Sequence, residues 1–249
     1  MNILIENTSI MNKLLTLLLI TISLGTYAQE TYQDLLILKA DQNWEKLIKK
    51  AEKYTEKDDT KNDAEPYYYL AVGYYNISFV SDRDEEYDNA FKDALSAIGK
   101  FMRKDKDGSV FEKHREFFSE VKQYLVEMIR NEIEVGSYRK AFAWVVKMYK
   151  FDREEIGANF LEGAIRYHRG DKTTARNKWK GAVELLDNLE STSDWLKEDY
   201  EMLKIGVMET AKIYVQMKQE DKAKELLDKV APWFEDDSDF QAQYDDIVN

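Results

Sequence analysis

The residue types that most often perform chemistry are scarce in this chain of 249 residues, which holds two histidines, His114 and His168, and no cysteine. Acid–base and nucleophilic catalysis need convergent groups, and neither a Gly-x-Ser-x-Gly turn nor a His-Glu-x-x-His helix is present to supply them. His114 lies within Lys113-His114-Arg115 and His168 follows Tyr167 near a glycine. Both read as surface residues, because their spacing offers no further metal ligands. Asp105-Lys106-Asp107-Gly108-Ser109 sets acidic oxygens ahead of a turn glycine, as a calcium loop does. The register fails, since Arg103 and His114 then occupy the first and last positions, which need carboxylates. A polar loop that ends in a helix cap is the remaining reading. The acidic runs Asp82 to Glu86 and Asp236 to Asp239 read as solvated faces or caps. The chain is therefore expected to be no enzyme and to hold neither metal nor cofactor.

What remains is a stock of aromatic side chains, 16 Tyr, 11 Phe and 5 Trp, of the kind that anchors cores and interfaces. They must be positioned by helices. The chain has only 10 Gly and 2 Pro against 44% hydrophobic residues, so the punctuation of strands and turns is sparse and long helices are favoured. A net charge of -12 disfavours nucleic acid and anionic lipid as partners, since phosphate binding draws on clustered Lys and Arg. Basic partners, or plain solubility, suit it better.

One phase recurs. Gly136, Tyr138, Ala141, Val145 and Met148 are followed 34 residues later by Gly170, Lys172, Ala175, Trp179 and Ala182. The first pattern of small and aromatic residues predicts a helix, a Gly136-Ser137 turn and a second helix; the next predicts a pair around Gly163, turned at Gly170-Asp171 and closed by Ala175, Trp179 and Ala182. Upstream, Ser109-Val110-Phe111-Glu112 reads as a capping box opening one long helix to about Val135. Tyr67, Leu70, Ala71 and Tyr74 mark a helix begun at Pro66. Its partner helix is expected over Tyr87 to Phe101, after an irregular loop from Asn76 to Glu86. Tyr32 to Lys39 and Trp44 to Tyr54 predict a shortened first pair. A last pair carries Val207, Ala211 and Tyr214, then Ala223, Leu227 and Val230, with Lys218 in place of the turn glycine. Gln29 to Gln33 and the acidic tail from Glu235 are expected to cap the ends.

These patterns resemble the tetratricopeptide-repeat family over most of the chain. The equivalent positions Leu47, Ala90, Ala141, Ala175 and Ala223 stand 43, 51, 34 and 48 residues apart, so one interval alone has the family's period. The resemblance implies an all-α fold, a right-handed stack of about five helix hairpins over residues 29–249 whose neighbours complete each other's cores. It also implies a concave surface lined by the first helix of each pair. Aligned residues there are Tyr68, Tyr75, Val126, Arg130, Phe160, Tyr167, Met208 and Lys212. The family's carboxylate-clamp subtype uses Lys and Asn at several such sites, which are mostly aromatic or aliphatic in this chain. The expected function is a protein–protein adaptor or scaffold that takes a segment of another envelope protein. Packing of the same rings between hairpins, a glycan-binding role beside an outer-membrane uptake system, and a permanent subunit of a secretion or assembly complex remain as alternatives.

The address is read from the N-terminus. Lys13, the apolar and hydroxyl run Leu14 to Leu24, and Thr26-Tyr27-Ala28 have the layout of an export signal cleaved after Ala28. The run is about half of the roughly 20 residues a membrane span needs. Residues 1–10 contain Glu6 and no base, which points to Met11 as an alternative start. With no cysteine for a lipid anchor, the product is expected to be a periplasmic protein, with full secretion as second choice and no transmembrane helix after cleavage.

Overall fold

The computed structural model describes residues 32–248, and these form twelve α-helices, two short 3-10 turns and no strand. The fold is all-α, as sparse glycine and proline require. No described helix is long and apolar enough to cross a membrane. The export signal expected over residues 1–28 lies outside the described residues. The chain divides into two compact units, Met1–Ala94 and Leu95–Asn249.

In the first unit, α1 (Gln33–Ala40) and α2 (Trp44–Glu56) form a short pair, and α3 (Glu65–Ile77) packs on both. Pro66 sits in the first turn of α3, where its missing N–H leaves nothing unpaired. Contact between α2 and α3 is close at Gly73, where a β-carbon would stand 2.7 Å from Ile48 Cγ1. Around it Leu35, Leu47, Ala51, Leu70, Ala71 and Ile77 are buried. Tyrosine hydroxyls tie the rim, with Tyr54 donating to Asp34 at 3.1 Å and Tyr74 to Glu52 at 2.8 Å.

The division between units falls within α4 (Ala90–Lys104). Beyond it come α5 (Ser109–Lys113), α6 (Arg115–Glu134), α7 (Tyr138–Met148), α8 (Ile156–His168), α9 (Lys172–Asp187), α10 (Lys197–Gln216), α11 (Glu220–Val230) and α12 (Ser238–Val248). Tight turns pair α6 with α7, α8 with α9 and α10 with α11. Helix α7 also packs on α8, α8 on α10, and α10 returns to α6, so these four close a ring. The α8–α10 crossing depends on glycine: a β-carbon on Gly157 would lie 2.4 Å from the Leu203 nitrogen, and one on Gly206 would lie 2.3 Å from the Gly157 carbonyl oxygen. Gly163 has the role its small-residue position predicts, since a β-carbon there would meet Trp179 Nε1 at 2.4 Å.

Four helix pairs turn in one way. Gln42, Gly136, Gly170 and Lys218 all have left-handed backbones, with φ of 53°, 68°, 86° and 58°. The amide of the following residue reaches back five positions in each case: Asn43 to Leu38, Ser137 to Glu132, Asp171 to Arg166 and Gln219 to Tyr214, at 2.8 to 3.0 Å. This is the Schellman closure, which satisfies carbonyls left over at a helix end. Asn43 and Asp171 then cap the next helix by accepting from the Lys46 and Thr174 amides.

The helix expected from Ser109 to Val135 is broken at His114, whose φ of −118° and ψ of 21° leave the helical region. The reason is aromatic. Seven residues of continuous helix separate equivalent points by about 10 Å along the axis, yet Phe111 and Phe118 stack with ring centroids 4.9 Å apart. Nor does Ser109 cap the segment; Gly108 precedes it in the left-handed region, and the Asp105 carboxylate accepts from the Val110 and Phe111 amides at 3.2 and 2.6 Å. Farther up the chain, α3 runs on to Ile77, Glu85–Tyr87 is a 3-10 turn, and α4 begins at Ala90, three residues later than the expected Tyr87.

Candidate functional groove

The aligned groove residues separate by burial. Tyr68, Tyr75, Val126, Phe160 and Met208 are all buried, and Arg130, Tyr167 and Lys212 reach the surface. Tyr68 packs edge-on against Tyr69 at 5.1 Å, and Tyr75 against Phe79 at 5.0 Å. The Phe160 carbonyl accepts from Trp179 Nε1 and from Thr210 Oγ1, both at 3.2 Å, and so joins α8, α9 and α10 at one atom. Tyr167 lies against Trp179 at 5.9 Å beneath the Lys172 ammonium.

The second unit brings three of the eight together. Arg130, Met208 and Lys212 line a cleft of about 480 Å³ between α6, α10 and α12. Its cations are already neutralised from within: Arg130 pairs with Glu201 at 2.7 Å, Lys212 with Glu209 at 2.8 Å, and Lys204 with Asp237 at 2.7 Å. A ligand would have to displace these pairs.

A different groove, of about 440 Å³, lies between α9 and α11 over the end of α10. Its apolar strip consists of Trp179, Val183, Tyr214, Met217 and Leu226, with Trp179 edge-on to Tyr214 at 5.2 Å. Arg176 and Lys180 flank it on α9, and Lys222 and Lys229 on α11, against Glu184 and Glu225. Lys229 pairs with Asp187 at 2.6 Å and Lys180 with Glu184 at 3.7 Å. Arg176 and Lys222 are exposed and pair with no carboxylate among the described residues. Two cations with no carboxylate partner thus stand beside an apolar strip.

This groove belongs to the second helices of its pairs, so a search of first-helix positions passes it by. The signal was present as Arg176, Lys180 and Val183 at helical spacing, and as Lys222, Leu226 and Lys229.

Buried charge joins the helices beneath. Lys122 bonds to Asp199, and Ser119 to Glu198 at 2.9 Å, linking α6 to α10. Glu155 is 4% exposed and caps α8 through the Ala158 amide. Burial pushes its carboxyl up to about 7, with Lys122 opposing the rise and Asp199 and Asp152 adding to it. Glu162 accepts from Tyr149 and Arg166 at 2.7 Å and pairs with Lys178 at 2.8 Å. Burial alone would raise this carboxyl, but those bonds together outweigh it and hold it below the ordinary range. Neither glutamate lines either cavity, so their role is to fix helices in place. His168 is exposed but stacks on Tyr138 with centroids 4.1 Å apart, and the partial loss of solvent around its ring lowers its pKa, with Glu209 opposing the shift. Among the described residues no group of three His, Cys, Asp or Glu is placed to hold a metal.

Comparison with models of known families, with curated proteins and with solved structures finds no match.

Proposed function

We propose that this chain is a non-enzymatic adaptor or scaffold of the bacterial cell envelope, a tetratricopeptide-like helical stack that docks a segment of another protein. The α9–α11 groove carries the reading: an apolar strip around Trp179 and Tyr214 beside the unpaired Arg176 and Lys222. Aromatic and Arg side chains supply much of the energy of protein interfaces, and uncommitted charge adds specificity without first breaking an internal pair. The kinship rests on one helix-hairpin turn recurring at Gln42, Gly136, Gly170 and Lys218. Export rests on Lys13, the apolar run to Leu24 and Thr26-Tyr27-Ala28.

A photo-crosslinking residue placed at Lys222 is expected to capture a discrete protein partner in cells. The same group at Asp221, exposed beside it and outside the groove, is expected to capture none. Equal capture at both positions, or none at either, would overturn the docking role. The chain recovered from the periplasm should begin at Gln29 by intact mass, and a retained Met1 or Met11 would remove the export argument.

A further inference from the structure

We propose that the occupant of the α9–α11 groove is an acidic amphipathic helix of a partner protein, held by its apolar stripe on the half-buried Val183, Tyr214 and Met217, above a floor of buried Trp179 and Leu226, and by carboxylates on both flanks. The inference rests on the docking role above and adds the chemistry of the partner. Both walls of the groove are helical and each carries two cations against one glutamate, Glu184 or Glu225, so a net positive charge lies on either side of the apolar strip. A helix laid along such a strip presents apolar residues at every third and fourth position and leaves its flanks free for charge. Carboxylates on both flanks match this layout; a basic helix would face repulsion from each wall.

Spacing sets the length. Arg176 and Lys180 are one turn apart on α9, and Lys222 and Lys229 are two turns apart on α11. At 1.5 Å per residue the second pair spans about 10 Å, which corresponds to two turns of a bound helix. The groove's own acids refine the pattern. Glu184 already answers Lys180, and Lys229 answers Asp187 outside the groove. Arg176 and Lys222 thus remain as the cations that gain most from an incoming carboxylate. Nucleic acid would meet the same four cations, but its charge runs on beyond the groove into the field of a chain with net charge -12, whereas a short acidic segment keeps its carboxylates beside the groove's own cations.

The probe is a labelled synthetic 14-residue peptide with Leu at helical spacing and Glu on both flanks, followed by fluorescence anisotropy on the full-length mature chain. It is expected to bind saturably, and added salt is expected to weaken it. The double variant Arg176→Glu/Lys222→Glu should lose at least tenfold in affinity, and Arg176→Gln/Lys222→Gln about threefold. Both residues are exposed, so thermal melts followed by circular dichroism should be unchanged. The same peptide with Lys flanks should not bind. Equal binding of the two peptides, or full binding to the charge-reversed variant, overturns the proposal. If the acidic peptide fails while crosslinking at Lys222 still captures a protein, the partner's chemistry is refuted and the docking role stands; failure of both removes both. Sedimentation that shows a dimer released by the charge reversal would make a second copy of the chain the occupant, which also overturns it.

Discussion

The backbone of Gly206 lies so close to Gly157 that a β-carbon on Gly206 would stand 2.3 Å from the Gly157 carbonyl oxygen. Helices α8 and α10 therefore meet without side chains between them. Within one turn of Gly157, the Phe160 carbonyl gathers Trp179 from α9 and Thr210 from α10. The crossing thus also fixes the tryptophan that floors the α9–α11 groove.

Gly157→Ala and Gly206→Ala are each expected to destabilise the protein by about 2–3 kcal/mol, because the added methyl meets backbone that cannot move aside cheaply. Gly181→Ala, also in a helix, should do the opposite. A β-carbon there meets nothing within 4 Å, so the change gains helix propensity of about 1 kcal/mol. Urea denaturation of the three variants checks this. A neutral Gly206→Ala would mean that the close crossing does not exist in solution.

The four left-handed turns make a second comparison. Gln42 and Lys218 carry a β-carbon where Gly136 and Gly170 carry none, at a conformation that costs L-residues roughly 1 kcal/mol. Lys218→Gly and Gln42→Gly should each raise stability by about that amount. Gly136→Ala and Gly170→Ala should lower it similarly, through the backbone alone, since a β-carbon at either position has open space around it. Denaturant midpoints read both signs, and a destabilising Lys218→Gly would contradict the shared turn.

The helices were legible because apolar residues recur at helical spacing, and the Gly136 and Gly170 turns were legible because glycine advertises a left-handed backbone. Gln42 makes the same turn with nothing in its identity to announce it. The break at His114 was hidden for a related reason. The apolar period continues through it, and only the stacking of Phe111 on Phe118 shows that the chain bends. Of the eight aligned groove residues, Arg130, Met208 and Lys212 share a cleft, and five of the eight are buried. A repeat alignment states which helix a residue is on; it does not state whether another element covers that face. The α9–α11 groove escaped because its cations read as solvated helix charges until their lack of partners was visible. Buried Glu155 and Lys122 escaped likewise, since a charge in a sequence is read as surface unless its partner is near.

Glu155 should make stability fall as pH rises. Its folded pKa of about 7 lies above the ordinary 4.5, so between those values the folded chain binds more protons than the unfolded one. The neutral carboxyl is fully favourable below the ordinary pKa, and the advantage is lost as pH climbs through the folded value. The swing is on the order of 3 kcal/mol. Glu155→Gln keeps an oxygen for the Ala158 amide and removes the titration, so its stability should stay flatter from pH 4.5 to 7. An unchanged pH profile in this variant would show that the carboxyl is not buried as described.

Glu162 should act with the opposite sign. Its folded pKa lies below the ordinary 4.5, because bonds to Lys178, Tyr149 and Arg166 outweigh the cost of burial. Its contribution is complete above the ordinary value and is lost as pH falls through the depressed one. Arg166 and Lys178 are each about a third exposed, so Glu162→Gln leaves them able to turn to solvent. Its cost at neutral pH should then be about 2 kcal/mol, less than for a fully buried pair broken on one side. The half-buried Tyr149 hydroxyl keeps an amide oxygen to donate to, which limits the loss further. Below pH 4.5 the variant should lose stability less steeply than the parent, and the two acid limbs should converge. Stability measured at pH 3, 4.5 and 7 for the parent and both glutamine variants separates the two groups, because one removes a slope above 4.5 and the other a slope below it. Parallel acid limbs for parent and Glu162→Gln would refute the charged network that ties α7, α8 and α9 together.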